Sequence, residues 1–111
     1  MEKNKSKQKV VIIIPTYNEV GNIKTLVKAI AKVKKSLTNY QLQILFVDDQ
    51  SPDGTGKAIT ELAKTRTYIK LLKNRKKAGL GHAYKKGMRY AIDKLGAEII
   101  IQMDADLSHN P

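Results

Sequence analysis

The chain of 111 residues has no cysteine and no tryptophan, and its acidic residues are few: 10 Asp and Glu stand against 21 Lys and Arg. Without cysteine it can form neither a disulfide framework nor a thiolate metal site, which fits a reducing compartment. Its longest apolar runs, residues 10–14 and 99–101, are far shorter than the ~18 residues that span a bilayer. Residues 1–9 are charged and adjoin no hydrophobic segment of signal-peptide length, so we expect a solvated basic arm. The remainder, with 41% hydrophobic residues overall, is typical of one globular domain or part of one.

The net charge of +11 calls for an explanation. Nucleic acid is one candidate partner, but the chain has only five Tyr and one Phe, and no nucleic-acid motif interleaves them with basic residues. Anionic membrane headgroups, a diphosphate substrate, and lysines that merely keep helix faces soluble remain as alternatives. We expect the densest basic run, residues 73–77, to lie near phosphate or a membrane.

Strand-like and helix-like segments alternate along the chain. The uniformly apolar run at residues 10–14 predicts a buried strand that ends at Pro15, and the largely apolar segments 42–47, 68–72 and 98–103 predict three more strands. Apolar residues at spacings of three and four predict the first and third helices. Their inner faces are Ile23, Leu26, Val27, Ile30 and Val33 in the first helix and Tyr84, Met88, Ala91, Ile92 and Leu95 in the third. The turn-forming and capping residues 50–56 predict a second helix, from about Gly56 to Lys64. Gly96 is placed to end the third helix. The β-α-β-α-β-α-β order predicts an α/β fold with a parallel sheet.

Polar clusters follow three of these strands: residues 16–19, Asp48 with Asp49, and Asp104 with Asp106. The carboxyl ends of parallel strands share one edge of a sheet, which is where ligands bind in open α/β folds. Two carboxylates at such a position suit Mg²⁺ or Mn²⁺ bound together with substrate phosphates. Each acid also has a purely structural reading as a turn or helix-start residue. The coincidence of three acid-bearing strand ends favours a site.

Other sites are not supported by the sequence. Neither a P-loop nor a Gly-x-Gly-x-x-Gly motif follows the first strand, and no Ser-His-Asp or Cys-His arrangement occurs. His82 and His109 show no metal-ligand spacing. Gly79 and Gly81 either allow close approach of a diphosphate or simply belong to a turn and helix entry.

Four motifs, in this order, resemble those of family 2 glycosyltransferases. They are Ile14-Pro-Thr-Tyr-Asn-Glu19, Val47-Asp-Asp-Gln-Ser-Pro-Asp-Gly-Thr55, Gly79-Leu-Gly-His-Ala-Tyr84 and Met103-Asp-Ala-Asp-Leu-Ser-His-Asn-Pro111. The second and fourth are most similar to the dolichol-phosphate (polyprenol-phosphate) mannosyltransferase branch. The resemblance implies a GT-A, Rossmann-like nucleotide-sugar-binding half. It also implies transfer of mannose from GDP-mannose to dolichyl or polyprenyl phosphate with inversion, in support of protein glycosylation or glycolipid synthesis.

The resemblance also implies site residues. Those expected to line the guanosine pocket are Pro15, Tyr17, Glu19, Val47 and Asp49. Asp104, Ala105 and Asp106 would meet the diphosphate, with Asp106 and Asp104 as the catalytic and metal-binding carboxylates for Mg²⁺ or Mn²⁺. Ser108 stands where some relatives have a metal-binding Gln, and is a shorter and weaker ligand.

Family members are about twice as long or longer, so we expect residues 10–111 to be the N-terminal part of a GT-A domain and the isolated chain to be inactive. The implied location is the cytoplasmic face of a membrane: the plasma membrane in a prokaryote, the endoplasmic reticulum in a eukaryote. Two alternatives remain. One is a sister enzyme that uses UDP-glucose or another nucleotide sugar. The other is a non-catalytic nucleotide- or membrane-binding module; nucleic acid is not an expected partner.

Overall fold

The computed structural model of the protein describes residues 7–74 and 80–105. Strands and helices alternate in the predicted order: β1 (Gln8–Thr16), α1 (Val20–Ser36), β2 (Tyr40–Asp48), α2 (Thr55–Thr65), β3 (Ile69–Lys73), α3 (Leu80–Asp93) and β4 (Ile99–Gln102). The strands form one parallel sheet in the order β3-β2-β1-β4. None of the helices in this part of the chain is long and apolar enough to cross a membrane.

The helices cover both faces of the sheet. One core cluster joins α1 and α2 to the even-numbered side chains of β1 and β2, such as Ile12, Ile44 and Phe46. The other joins α3 to the odd-numbered side chains of the same two strands, such as Ile13 and Leu45. Right-handed crossovers require this division, because the chain moves one way across the sheet from β1 to β3 and then reverses to reach β4. The central strands β1 and β2 are buried on both faces, as their apolar sequences predict, whereas the edge strands β3 and β4 are only partly buried.

The prediction that Pro15 ends the first strand is wrong. Pro15 lies within β1, which continues to Thr16. The carbonyl of Ile13 accepts a hydrogen bond from the backbone N–H of Met103 on the β4 side. The backbone groups of every second residue in a strand point to the same neighbouring strand, so the nitrogen of Pro15 faces the β4 side as Ile13 does. At that level β4 has already ended, at Gln102. The missing N–H of Pro15 therefore removes no ladder hydrogen bond.

Two helix residues that the periodicity assigned to inner faces are exposed. Val33 in α1 is 52% exposed and Ile92 in α3 is 57% exposed, so the buried stripe of each helix is narrower than the apolar pattern suggests. The prediction for Gly96 is confirmed. It has the left-handed φ of +68° just after the last turn of α3, and beyond it the N–H of Ala97 bonds back to the carbonyl of Ala91 at 3.0 Å.

Helix α3 lies very close to the sheet at Gly87. A Cβ atom there would be 2.8 Å from Cγ2 of Ile13 and 3.1 Å from Cγ2 of Val47. Both neighbours are fully buried and belong to central strands. Glycine is required at this position because it lets the helix backbone rest on the two side chains, which sets how α3 presents its first turns to the carboxyl edge of the sheet.

Candidate functional site

The carboxyl edge of the sheet gathers residues 16–19, Asp48 with Asp49, and Asp104. β1 has β2 on one side and β4 on the other, so the edge around β1 is the point at which the strand order reverses and where open α/β folds bind ligands. The N–H of Asp49 bonds to the carbonyl of Thr16 at 3.0 Å, and β4 ends beside Ile13. Asp49 and Asp104 thus flank β1, about two strand spacings or ~10 Å apart.

Adjacent Asp48 and Asp49 have different roles because successive side chains of a strand point to opposite faces. Asp48 is buried and accepts hydrogen bonds from the Thr16 hydroxyl at 2.7 Å and from the Ser51 N–H and hydroxyl at 3.1 and 2.6 Å. These contacts close the turn after β2 and tie it to β1. Asp48 is therefore a structural residue, as the turn reading of the sequence allowed.

Asp49 belongs to a polar network on the α3 side that sequence reasoning missed. Its Oδ1 accepts a hydrogen bond from the side-chain amide of Asn74 at 3.1 Å. The amide oxygen of Asn74 in turn accepts one from the Lys86 ammonium at 3.3 Å. Asn74 is 2% exposed, and its N–H bonds to the carbonyl of Asp48 at 2.8 Å. The ends of β2 and β3 and the middle of α3 thereby fix the position of one carboxylate.

Asp104 follows β4 and is exposed at the same edge. The hydroxyl of Tyr84, from the first turns of α3, donates to its Oδ1 at 3.4 Å. Burial, together with the charge of Asp104, raises the pKa of the Tyr84 phenol above its usual 10.0, so Tyr84 remains a donor throughout the neutral range. Ala105 is buried against the α1 and α2 core, which anchors the segment. Asp106 and Ser108 lie outside the described residues.

The other predicted nucleotide-binding residues lie around β1. Tyr17 is 39% exposed directly after the strand, and Pro15 is half-buried within it. Glu19 is the N-cap residue of α1 and accepts a hydrogen bond from the Asn22 amide at 3.0 Å. Val47 is fully buried beneath α3, so only its backbone atoms can reach a ligand.

The loop after β2 braces the loop after β1, a second feature that the sequence did not predict. The Ser51 hydroxyl accepts from the N–H of Asn18 at 2.9 Å, and the Thr55 hydroxyl from that of Glu19 at 3.0 Å. The Asp53 carboxylate accepts from Val20 N–H at 3.2 Å and from Thr55 N–H at 3.0 Å, which are the first helical residues of α1 and α2. One carboxylate therefore caps two helices, whose N-terminal N–H groups have no partners within the helix.

Each of the two loops contains a residue other than glycine in the left-handed conformation. Asn18 has φ +56° and Gln50 has φ +57°. Asn tolerates this conformation, whereas Gln adopts it at a cost, and such strain concentrates at functional sites. Both residues lie at the carboxyl edge of the sheet.

No group of three or more His, Cys, Asp or Glu able to hold a metal ion occurs among residues 7–74 and 80–105. Asp104 is an exposed carboxylate at the reversal point of the sheet, and a carboxylate oxygen is the kind of ligand that a hard divalent cation binds. It would be one oxygen ligand of a hard divalent cation, beside substrate phosphate oxygens.

Comparison with known proteins identifies the family. The sequence profile of glycosyl transferase family 2 matches residues 11–111, almost the whole chain. The chain belongs to this family. It is 40% identical over 105 residues to a polyprenol monophosphomannose synthase of Mycolicibacterium smegmatis, and 37% identical over 103 residues to an undecaprenyl-phosphate mannosyltransferase of Micrococcus luteus. These matches cover 94% and 93% of this chain but only 37% and 40% of the two relatives, so the chain spans about two fifths of their length.

A solved structure supports the fold of this family 2 chain. A mannosyltransferase from Pyrobaculum calidifontis, in complex with GDP-Man and Mn²⁺, superimposes with a TM-score of 0.76 at 29% sequence identity. The superposition covers 90% of this chain and 28% of that protein. The predicted α/β fold, a Rossmann-like half of the GT-A type with its four parallel strands, is thereby confirmed.

Proposed function

We propose that the chain supplies the GDP-mannose-binding part of an enzyme that transfers mannose to a polyprenyl phosphate. The observation that carries the proposal is the reversal point of the sheet. Asp49 and Asp104 flank β1 there, in a fold that superimposes on a mannosyltransferase bound to GDP-Man and Mn²⁺. The names of the two curated relatives support a polyprenyl phosphate as acceptor.

The spacing of the edge fits an extended nucleotide sugar. Asp49, held by Asn74, presents carboxylate oxygens suited to accept N–H groups of a guanine base. About 10 Å away, Asp104 would meet the diphosphate through a divalent cation. Exposed Tyr17 lies beside β1 between these two ends, where its ring can cover the nucleoside.

The proposed reaction is a single displacement. An oxygen of the acceptor phosphate attacks the anomeric carbon of mannose while the bond from that carbon to the GDP oxygen breaks, which inverts the configuration. Mg²⁺ or Mn²⁺, held by Asp104 and by Asp106 as the resemblance implies, would stabilise the charge that passes to GDP. A phosphate monoester with a second pKa near ~6 is already largely dianionic at neutral pH, so the site has to align it and does not need a strong general base. A lipid-linked acceptor also places the reaction at a membrane surface, proposed to be its cytoplasmic face.

Calorimetry with GDP-mannose and Mn²⁺ tests the donor site on this chain. We expect binding that requires the metal, and we expect Asp104→Asn to weaken it about tenfold or more because a charged ligand is lost. Asp93→Asn is the matched control, since Asp93 is an exposed acid at the far end of α3. Competition with UDP-glucose tests the sister-enzyme alternative. Metal-independent binding, or equal loss in both variants, would contradict the proposed site.

A further inference from the structure

We propose that the outer face of α1 is the surface by which the protein docks on an anionic lipid bilayer. α1 carries five lysines and no acidic residue. Four of them are exposed and lie three or four positions apart, on one side of the helix; they define the basic face and are Lys24, Lys28, Lys32 and Lys35. The fifth, Lys34, instead lies over the ring of Tyr68, 4.9 Å from its centre.

A basic face of this kind is not an ordinary solvated helix surface. Soluble helices usually mix both signs, because oppositely charged residues three or four positions apart stabilise the helix and like charges destabilise it. On the basic face every neighbouring pair repels. Within the ranges 7–74 and 80–105, the one ion pair is Glu61 with Lys64, at 3.2 Å on α2. An arrangement that costs helix stability is explained if an external anionic partner binds it.

The surface beside the basic face has the amphipathic character of a bilayer contact. A groove of about 350 Å³ runs between α1 and α2. Its apolar lining is Val27, Ala31 and Leu62, and its basic lining is Lys24, Lys28 and Arg66. Basic side chains around apolar ones match the anionic headgroups and underlying hydrocarbon of a membrane interface.

The orientation agrees with the proposed function, on which this step rests. α1 begins at the carboxyl edge of the sheet, and exposed Tyr17 and Val20 lie directly before and at its start. A protein resting on the basic face therefore holds the edge with Asp49 and Asp104 beside the bilayer in which a polyprenyl phosphate resides. Nucleic acid fits this face less well, because no aromatic side chain available for base stacking lies among its four lysines.

Sedimentation with lipid vesicles tests the proposal without relying on catalysis. The whole chain is mixed with vesicles of phosphatidylcholine alone, or with about 30% phosphatidylglycerol, near physiological salt. We expect binding only to the anionic vesicles, and its loss at about 0.5 M NaCl, where charges are screened within a few ångströms. Lys24→Glu/Lys28→Glu/Lys32→Glu should weaken binding by about 100-fold or more.

The matched control is Lys85→Glu/Arg89→Glu/Lys94→Glu, which changes the net charge equally on the α3 side and should retain binding within about tenfold. Circular dichroism verifies that both variants fold. The proposal is overturned if the unmodified chain ignores anionic vesicles, if both variants lose binding equally, or if the α1 variant retains it. It is also overturned if added duplex DNA displaces the chain from the vesicles. Each of these results leaves nucleotide binding measurable, so failure here is separate from failure of the mannosyl-transfer proposal.

Discussion

Asp53 shows how much a single side chain can contribute to the geometry of the site. Its carboxylate bonds to the first N–H groups of α1 and α2 and so holds the loops after β1 and β2 together. Chiefly through the hydrogen bond from the Thr55 hydroxyl, the pKa of Asp53 is lowered below its usual 3.8. Because the folded-state pKa is the lower one, its contribution is complete above the unfolded-state pKa and is lost as the pH falls through the folded-state value.

We therefore expect Asp53→Asn to lower the melting temperature at pH 7, and the difference from the unmodified protein to shrink as the pH falls below about 4. Thermal unfolding followed by circular dichroism between pH 7 and pH 2.5 measures this. Asp93→Asn, at the exposed end of α3, should leave the melting temperature unchanged or slightly raised. A constant difference across the pH range would mean that Asp53 does not act through its charge.

Asn74 is the residue on which the position of Asp49 depends. Asn74→Ala removes two side-chain hydrogen bonds at a buried position and should lower the free energy of unfolding by about 1–3 kcal/mol in urea titrations. The backbone bond to Asp48 remains, so the sheet should persist. Asn39→Ala, at an exposed position before β2, should cost less than about 0.5 kcal/mol. Equal effects of the two substitutions would contradict the network.

At the scale of helices and strands, α3 is positioned by one close contact. Gly87→Ala would place a methyl group within 2.8 Å of Ile13, and the fully buried Ile13 and Val47 cannot move aside. Overpacking of about 1–3 kcal/mol outweighs the helix propensity of up to ~1 kcal/mol that alanine adds. We expect a net loss of about 1–2 kcal/mol in chemical denaturation.

Gly81→Ala is the control within the same helix. A Cβ at Gly81 meets nothing within 4 Å, so this substitution should stabilise the protein by up to about 1 kcal/mol. If the Gly87→Ala protein is as stable as the unmodified chain, α3 can move away from the sheet at no cost in free energy. In that case the placement of Tyr84 and Lys86 would not depend on this contact.

The elements themselves were predictable from the sequence, whereas their side-chain contacts were not. Apolar patterns predicted the four strands and two of the helices, because burial on one or both faces fixes which positions must be apolar, and turn-forming residues predicted the start of α2. The predicted buried faces of α1 and α3 were too wide, because they included the exposed Val33 and Ile92. Periodicity shows which side of a helix is apolar, but not how much of that side the neighbouring elements cover. Asn74 and Asp53 were missed because their partners lie 25 and 33 positions away, where no local pattern reports them.

At the scale of the whole molecule, the predictable part of the site is its edge. Strand–helix alternation implies a parallel sheet, and that sheet brings Asp49 and Asp104 to one border although 55 positions separate them. The role of each carboxylate then depends on which face of the sheet its position in the strand points to, and on the loops that follow the strands. Asp48 turned inward to become structural, whereas its neighbour Asp49 faces the edge.

The net charge of +11 affects the stability of the whole molecule. The repulsion along α1 implies that the lysines of the basic face reduce stability. Lys28→Glu replaces two repelling pairs, with Lys24 and Lys32, by attracting ones, and should raise the free energy of unfolding at low salt by about 0.5–1.5 kcal/mol. Urea unfolding at about 10 mM and 500 mM NaCl measures this, and the gain should shrink at the higher salt because the charges are screened. Lys28→Gln, which only removes the repulsion, should give about half the gain.

A Lys28→Glu protein that is less stable at low salt would mean that α1 lysines are held by anionic groups of the protein itself, and the reason to assign them to a bilayer would disappear.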